Sequence, residues 1–284
     1  MSIVVTGAAG HLGHHVVESL LDRGVPAAEI TATGRSTDRL ADLAARGVTV
    51  VTADYTDPAS LDAAFAGADK VLIVSSNDFN DRPGQHRNAI DAAVRAGVGH
   101  VVYTSGPKAT TSSMLLMSDH RATEEHLATS GLTTTILRNG WYVENYTGQV
   151  PTYLEHGMVG AAGDGKVSIA LRSDLAEAAA VVLTTDGHEG TVYELGGAAV
   201  TLPELAAIIS DVTGQTVTYT DVPVETLAGI LVGAGLPEPV AEIFADVDRS
   251  ISEGELYVDP TDLATLLGRP ATPAARAVTI ALAE

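Results

Sequence analysis

Gly7, Gly10 and Gly13 recur at a spacing of three in Gly7-Ala8-Ala9-Gly10-His11-Leu12-Gly13, directly after the apolar run Ile3-Val4-Val5-Thr6. A strand that turns tightly into a helix gathers free backbone N–H groups and the positive end of the helix at one point, which suits a diphosphate. Glycine serves there in the turn, in the close approach of the backbone to the phosphates, and in packing the helix onto the strand. The spacing is G-x-x-G-x-x-G rather than G-x-G-x-x-G. Alone it is a weak signal; between a strand and a helix at the head of an alternating chain it is a strong one. The dinucleotide contacts expected from this loop are Thr6, Gly7, Ala9, Gly10, His11, Leu12 and Gly13.

The residue that would choose the dinucleotide ends the next β-branched run, Ile30-Thr31-Ala32-Thr33, which continues Gly34-Arg35-Ser36-Thr37-Asp38-Arg39. An acidic side chain at that point would bind the ribose hydroxyls of NAD. Arg35 stands there instead, and a guanidinium can grip a 2′-phosphate with two parallel hydrogen bonds. This favours NADPH, with NADH as the alternative. The competing role for Arg35 is stacking on adenine or capping the second helix, and Asp38 can pair with Arg35 or Arg39. Ser75-Ser76 and Thr104-Ser105 end later strand-like runs. The carboxyl ends of parallel strands face the ligand crevice, so Ser75, Ser76 and Thr104 join the expected cofactor set. Local turn bonding is the alternative for each. Asp54 either lines an adenine pocket or caps the next turn.

These residues need a scaffold of alternating elements. Strand-like runs recur at Ile3–Thr6, Ile30–Thr33, Val48–Val51, Val71–Val74, Val101–Thr104 and Thr133–Leu137, apolar enough to be covered on both faces. Helical segments lie between them at Leu12–Arg23, Pro58–Phe65, Arg82–Ala96 and Ser118–Ser130. Asp57-Pro58 reads as a helix start, and Gly97 and Gly131 read as helix ends. The expected class is α/β: a Rossmann-like, doubly wound parallel sheet. After Arg138 the rhythm loosens. Helices are expected at Ser173–Thr184, Leu202–Thr213, Val224–Ala234, Pro237–Ser252 and near the end, with short strands around Val192–Leu195 and Val217–Thr220. The division expected is a nucleotide-binding domain over residues 1–150 and a smaller, mostly helical lobe over 151–284, with some segments returning to the sheet.

Composition removes several kinds of chemistry. The chain has 284 residues, enough for one large domain or a domain with a lobe, and 45% are apolar. Sixteen basic residues against 36 acidic give a net charge of −20, a field that repels nucleic acid and anionic lipid. There is no cysteine, hence no thiolate catalysis and no Cys-based metal centre. No apolar run approaches a membrane span and no leader-like start is evident, so a cytoplasmic location is expected.

Longer motifs carry a family likeness. They include Val5–Gly13, Gln85-His86-Arg87-Asn88, Tyr103-Thr104-Ser105, Leu137–Tyr146, Leu154-Glu155-His156-Gly157, Gly160–Lys166 and Gly187-His188-Glu189-Gly190. Together they resemble the NmrA-like group of atypical short-chain dehydrogenase/reductases, and within it the quinone and triphenylmethane reductases. The resemblance implies direct hydride transfer from NADPH to a quinone-like small molecule, without flavin or metal; it leaves room for a homodimer. It also implies roles for single residues. Asn145, in Glu144-Asn145-Tyr146, would lie by the nicotinamide and the quinone, and Asn139 would join the cofactor contacts. His120 falls where such reductases often carry a lysine facing the cofactor, and would stabilise an oxyanion or donate a proton. Trp141, Tyr142 and Tyr146 would form a wall against a flat ring. The bland alternatives are a helix cap for Asn145, an exposed helix position for His120, and core packing for the aromatics. Some NmrA-like proteins bind NADP as sensors without turnover, which is the competing function; a reductase of another acceptor, such as an imine or an azo or triarylmethane dye, is the third reading.

The Tyr-x-x-x-Lys pair used by most short-chain reductases is missing. The lysines are Lys70, Lys108 and Lys166, and none follows a tyrosine at that spacing. Gly160–Lys166 nearly matches a phosphate-binding loop, but Val167 replaces the Ser or Thr that would hold magnesium. His11, His14 and His15 have a helix-compatible spacing without a carboxylate in the same turn, so no metal is expected.

Overall fold

A computed structural model describes residues 1–78 and 80–283. In chain order the elements are β1 (Ile3–Val5), α1 (His11–Asp22), β2 (Ile30–Gly34), α2 (Ala41–Ala45), β3 (Thr49–Thr52), α3 (Pro58–Phe65), β4 (Lys70–Ile73), α4 (Arg82–Ala96), β5 (His100–Ser105), α5 (Met117–Thr129) and β6 (Thr134–Asn139). They continue as β7 (Trp141–Tyr142), α6 (Glu144–Thr147), α7 (Val150–His156), β8 (Met158–Gly160), β9 (Lys166–Ala170), α8 (Arg172–Thr184), β10 (Val192–Leu195), β11 (Ala198–Thr201) and α9 (Leu202–Thr213). The last are β12 (Tyr219–Asp221), α10 (Val224–Gly233), α11 (Glu238–Ser252), α12 (Thr261–Leu267) and α13 (Ala274–Ala281).

The six early β-branched runs become β1 to β6. With β10 they form a seven-stranded sheet in the order β10-β6-β5-β4-β1-β2-β3. Strands β2–β3, β1–β2, β1–β4, β4–β5 and β5–β6 all pair in parallel. The chain therefore runs outward from β1 in one direction, returns to β4 on its other side, and continues. The strand order reverses between β1 and β4, which opens a crevice at their carboxyl ends. One face of the sheet buries Val4, Val71, Ile73, Val101 and Tyr103 with Leu61, Phe65, Ala89, Ile90 and Ala93 of α3 and α4. On the other, α1 packs against α8.

Local chemistry explains where the helices begin and end. The Asp57 side chain accepts from the Ala59 amide and Pro58 fills the first turn of α3. Asp81 does the same for Gly84 at the start of α4, which ends on Gly97 in the left-handed region. A reciprocal Thr201–Glu204 capping box opens α9, and Gly214 closes it.

The chain forms two compact units. One comprises residues 1–106, 119–138 and 172–193; the other comprises 107–118, 139–171 and 194–284. The division expected at residue 150 thus falls elsewhere, because α8 and the start of β10 belong to the first unit while the segment from Asn139 onward already belongs to the second. Helices supply most of the second unit, as expected. It also holds a three-stranded sheet, β11-β9-β7, and a two-stranded one, β12-β8. Its core gathers Met158, Val167, Ile169, Val200, Leu205, Ile209, Val247 and Val278. The Gly160–Lys166 stretch joins β8 to β9, strand to strand.

Within this second unit Asp248 sits beside β8, accepting the Ala161 amide at 2.7 Å. Burial raises its carboxyl to about 6, with Asp221 adding to the effect. A folded-state pKa above the unfolded value means that ionised Asp248 costs stability above about pH 6, and that this cost fades as the pH falls toward about 4. Asp248→Asn, whose amide oxygen can still accept from Ala161, should therefore gain about 1–2 kcal/mol at about pH 8 and little at about pH 4, in paired denaturant melts.

Candidate functional site

The glycine turn lies at the β1 side of the crevice. Gly7 adopts φ +61, a left-handed conformation that a side chain would strain. A Cβ on Gly13 would stand 2.6 Å from the Gly7 carbonyl oxygen and 2.9 Å from Ala8 Cα, so the first turn of α1 presses directly on the turn that precedes it. The N-cap of α1 is Gly10, which has no side chain of its own to bond the helix amides. Leu12 and Gly13 are buried, Gly7 and Ala9 half-buried, and Gly10 and His11 exposed. A backbone this close to the helix mouth, exposed and without a side chain at Gly10, fits an anion as large as a diphosphate.

A shallow cavity beside the turn is lined by Ala9, Gly10, His11, His14, His15 and Arg39. His14 pairs with Asp42 at 3.0 Å and His15 with Glu18 at 3.2 Å. Among the described residues no group of three His, Asp or Glu side chains has a metal-binding arrangement. Arg35 follows β2 directly and is exposed. It forms no hydrogen bond or ion pair among the described residues, and it acts on Asp78 through charge alone. It pairs with neither Asp38 nor a helix end. Arg39, one helical turn later, is also exposed and was not singled out from the sequence. Its spacing of four from Arg35, across the start of a helix, was the available signal.

Several expected cofactor residues spend their hydroxyls on the protein. Thr6 Oγ1 donates to the Leu72 carbonyl at 2.9 Å, accepts from the Val74 amide at 3.0 Å and meets the Tyr55 phenol, so it ties β1 to β4. Thr104 Oγ1 accepts from the Ser75 amide at 2.9 Å. Ser76 Oγ donates to Gln85 at 2.7 Å. The Ser75 hydroxyl makes no hydrogen bond among the described residues. Asp54 takes the turn-capping role, accepting from the Thr56 amide at 2.8 Å.

His120 is not on the open face of its helix. It is 8% exposed on α5, and its Nδ1 lies 2.8 Å from the Tyr103 hydroxyl on β5. That hydroxyl is also 3.3 Å from His86 Nδ1, which is 2.8 Å from Thr123 Oγ1. His86 Nε2 accepts from the Ser76 amide at 2.8 Å. Burial, with the positive charge of Arg82 next, pushes both His86 and His120 down to about 3. Burial raises the Tyr103 phenol well above its ordinary range. Arg82 is itself buried, donating to the Ser76 carbonyl at 2.7 Å and lying 3.5 Å from Asp119. Arg138 on β6 holds Glu124 of α5 in a two-point pair, 2.6 Å at its shorter contact, and Glu124 also accepts from Ser105. These bonds fix α5 along the edge of the sheet.

The other expected residues belong to the second unit. Trp141 and Tyr142 form β7, pair with Ile169 and Ala170, and are half-buried. Asn145 is exposed on the single turn α6. Asn139 is buried; its Nδ2 reaches Tyr142 Oη at 3.5 Å, and its Oδ1 is without a hydrogen bond among the described residues. Tyr146 is 8% exposed within the apolar core of the unit, so core packing takes it out of the expected aromatic wall and leaves Trp141 and Tyr142.

Comparison with known proteins agrees with this architecture. The chain is 47% identical over 278 residues to quinone oxidoreductase 2 of Escherichia coli, covering 97% of each chain. The crystal structure of the E. coli NADPH-dependent quinone oxidoreductase in complex with NADPH superposes with a TM-score of 0.94 at 46% identity, over 98% of this chain and 99% of that one. Triphenylmethane reductase from Citrobacter, complexed with NADP(H), gives 0.92 at 40% identity over 99% and 100%. Residues 1–265 match the NmrA-like family, and the chain belongs to it.

Proposed function

We propose that this protein is an NADPH-dependent reductase of quinones or similar flat, conjugated electrophiles. The observation that carries the proposal is the Arg35 guanidinium directly after β2, exposed and without a hydrogen bond or ion pair among the described residues, in the same unit as the glycine turn. NADPH, when bound, supplies a hydride to the acceptor.

The chain's own residues then have separable tasks. The backbone from Gly7 to Gly13 holds the diphosphate, and Arg35, with Arg39 one turn on, holds the 2′-phosphate. Ser75, whose hydroxyl is uncommitted, contacts the dinucleotide at the end of β4. Ser76 and Thr104 contribute by shaping that edge, since their side chains are already bonded. Trp141 and Tyr142 offer flat apolar surface to a ring. Asn145 offers an amide to a quinone oxygen that gains charge, and His120 offers a ring nitrogen. A quinone asks for little more. Its carbonyls are conjugated and its reduced anion is stabilised, so holding the ring in place supplies much of the rate. The missing Tyr-x-x-x-Lys pair is consistent with such an acceptor.

Steady-state oxidation of NADPH, followed by absorbance against a panel of small quinones and a triarylmethane dye, tests the activity. Saturable consumption with quinones is expected. Binding of NADPH without consumption across the panel would favour a sensor instead. Arg35→Glu should lower kcat/KM for NADPH by about 100-fold while leaving that for NADH unchanged or higher. An unaltered NADPH to NADH ratio would remove Arg35 from the site. Gly13→Ala, which forces the helix off the turn, should weaken NADPH binding by about tenfold or more in calorimetric titration and lower Tm by several degrees.

A further inference from the structure

His86, Tyr103 and His120 form a buried chain of hydrogen bonds at the edge of the sheet, and the proposed activity uses only its last member. We propose that the main-chain amide of Ser76 sets the proton positions along this chain, so that His120 presents Nε2–H as a fixed, neutral hydrogen-bond donor. Tyr103 and His86 are then positioning residues. The donor's use in turnover rests on the reductase activity proposed above; the proton pattern does not.

The pattern follows from one unambiguous donor. A backbone N–H can only donate, and Ser76 points its N–H at His86 Nε2 at 2.8 Å. His86 Nε2 therefore carries a lone pair, and a neutral imidazole must carry its proton on Nδ1. That Nδ1–H faces Thr123 Oγ1 at 2.8 Å and, more distantly, the Tyr103 oxygen at 3.3 Å. The Thr123 hydroxyl gives its own hydrogen to the Asp119 carbonyl at 2.8 Å, so its oxygen is the acceptor for His86. Tyr103 then has its hydroxyl hydrogen to give. His120 Nδ1 lies 2.8 Å away, and an imidazole lone pair is a stronger acceptor than the threonine oxygen already engaged by His86. His120 Nδ1 thus accepts, which puts its proton on Nε2.

Charge supports the neutral form. Arg82, buried against the Ser76 carbonyl, opposes a second positive charge at either histidine, and His86 opposes one at His120. The remaining groups around the chain are Tyr55, Asp119 and Glu124. Glu124 is held by Arg138, and Asp119 lies 3.5 Å from Arg82. His120 Nε2 makes no hydrogen bond among the described residues, and it is not among the polar atoms that are fully sealed without a partner. It is the one nitrogen of the two rings left to face a ligand.

A neutral imidazole N–H is too weak an acid to surrender its proton near neutral pH. It can lend a hydrogen bond to an oxygen that gains charge, and the proton that completes the hydroquinone then comes from water. His120 is thereby an oxyanion stabiliser and not the proton donor, which separates the two roles that its sequence position leaves open.

The test is long-range ¹H–¹⁵N correlation on the full-length protein labelled at histidine, with signals assigned through His86→Gln and His120→Gln. At about pH 7 the expected spectrum shows His86 as the Nδ1–H form and His120 as the Nε2–H form, neither gaining a proton down to about pH 5. Tyr103→Phe keeps the ring and removes the O–H. It should leave His120 as a mixture of both forms and reduce kcat for quinone by about tenfold, with KM for NADPH unchanged. His120 found as Nδ1–H in the unaltered protein, with Tyr103 donating to Thr123, would overturn the proposal. So would an unchanged His120 signal in Tyr103→Phe, while an unchanged kcat in that variant would overturn the donor's use in turnover. The spectrum of the unaltered protein needs neither substrate nor variant fold. Should no acceptor be reduced while both histidines show the expected forms, the reductase activity fails and the proton pattern stands.

Discussion

The contact between Gly13 and the Gly7 carbonyl sets the geometry on which the dinucleotide end of the site depends. No side chain fits between them, since a Cβ would lie 2.6 Å from that oxygen. The helix can therefore start almost on top of the strand that feeds it, and its first amides project at the carboxyl end of β1. Strand order reverses beside that point, so the amides open onto a crevice and not onto a neighbouring strand. Thr6 fixes the other side of the crevice by bonding Leu72 and Val74 of the β4 segment. Its hydroxyl acts on the site by holding two strands in register.

A chain with a net charge of −20 must attract an anion against its own field. Local features can outweigh that field because screening limits distant carboxylates to roughly 8 Å at physiological salt, while a guanidinium and oriented amides act in contact. Arg35 and Arg39 matter in this light for being exposed and unengaged. Three other cations at the sheet are spent on structure: Arg82 on Ser76 and Asp119, Arg138 on Glu124, and Lys70 on the Leu183 carbonyl. Which arginines remain available is a property of the fold that composition does not disclose.

The elements that position the site were legible because their signals are local. β-branched runs, the Asp57-Pro58 start and the Gly97 stop act over a few residues, and the structure places strands and helices at those points. The glycine turn was legible for the same reason. Strands β7, β8 and β11 were not anticipated, since each is two to four residues long and is held by partners distant in sequence. The expectation that some later segments return to the sheet did not name them: Arg172–Thr184 packs on α1, a long-range contact with no mark in the local pattern. Ser76, Thr104 and Thr6 were recognised by type and place, but hydroxyls are equally good at bonding a cofactor or a backbone. Only coordinates show which bond is already made. Tyr146 shows the same limit for aromatics, because ring and core packing look alike in sequence.

The lack of a Tyr-x-x-x-Lys pair does not mean that this edge of the sheet lacks a tyrosine. Tyr103 is there, on β5, but fully buried. Burial raises its phenol far from any proton exchange near neutrality, and the opposing effects of Thr123 and Arg82 are smaller than that cost. A tyrosine in this state cannot supply protons to a substrate, but it is an excellent fixed donor to a neighbouring imidazole. The same buried setting that disables acid catalysis by Tyr103 keeps His86 and His120 neutral, with Arg82 adding to the effect. An edge built this way is poorly suited to reducing a simple ketone, whose alkoxide must be protonated as it forms. It suits an acceptor whose reduced form is a stabilised anion that needs only a hydrogen bond. The chemistry of the acceptor and the burial of the tyrosine are thus two sides of one constraint.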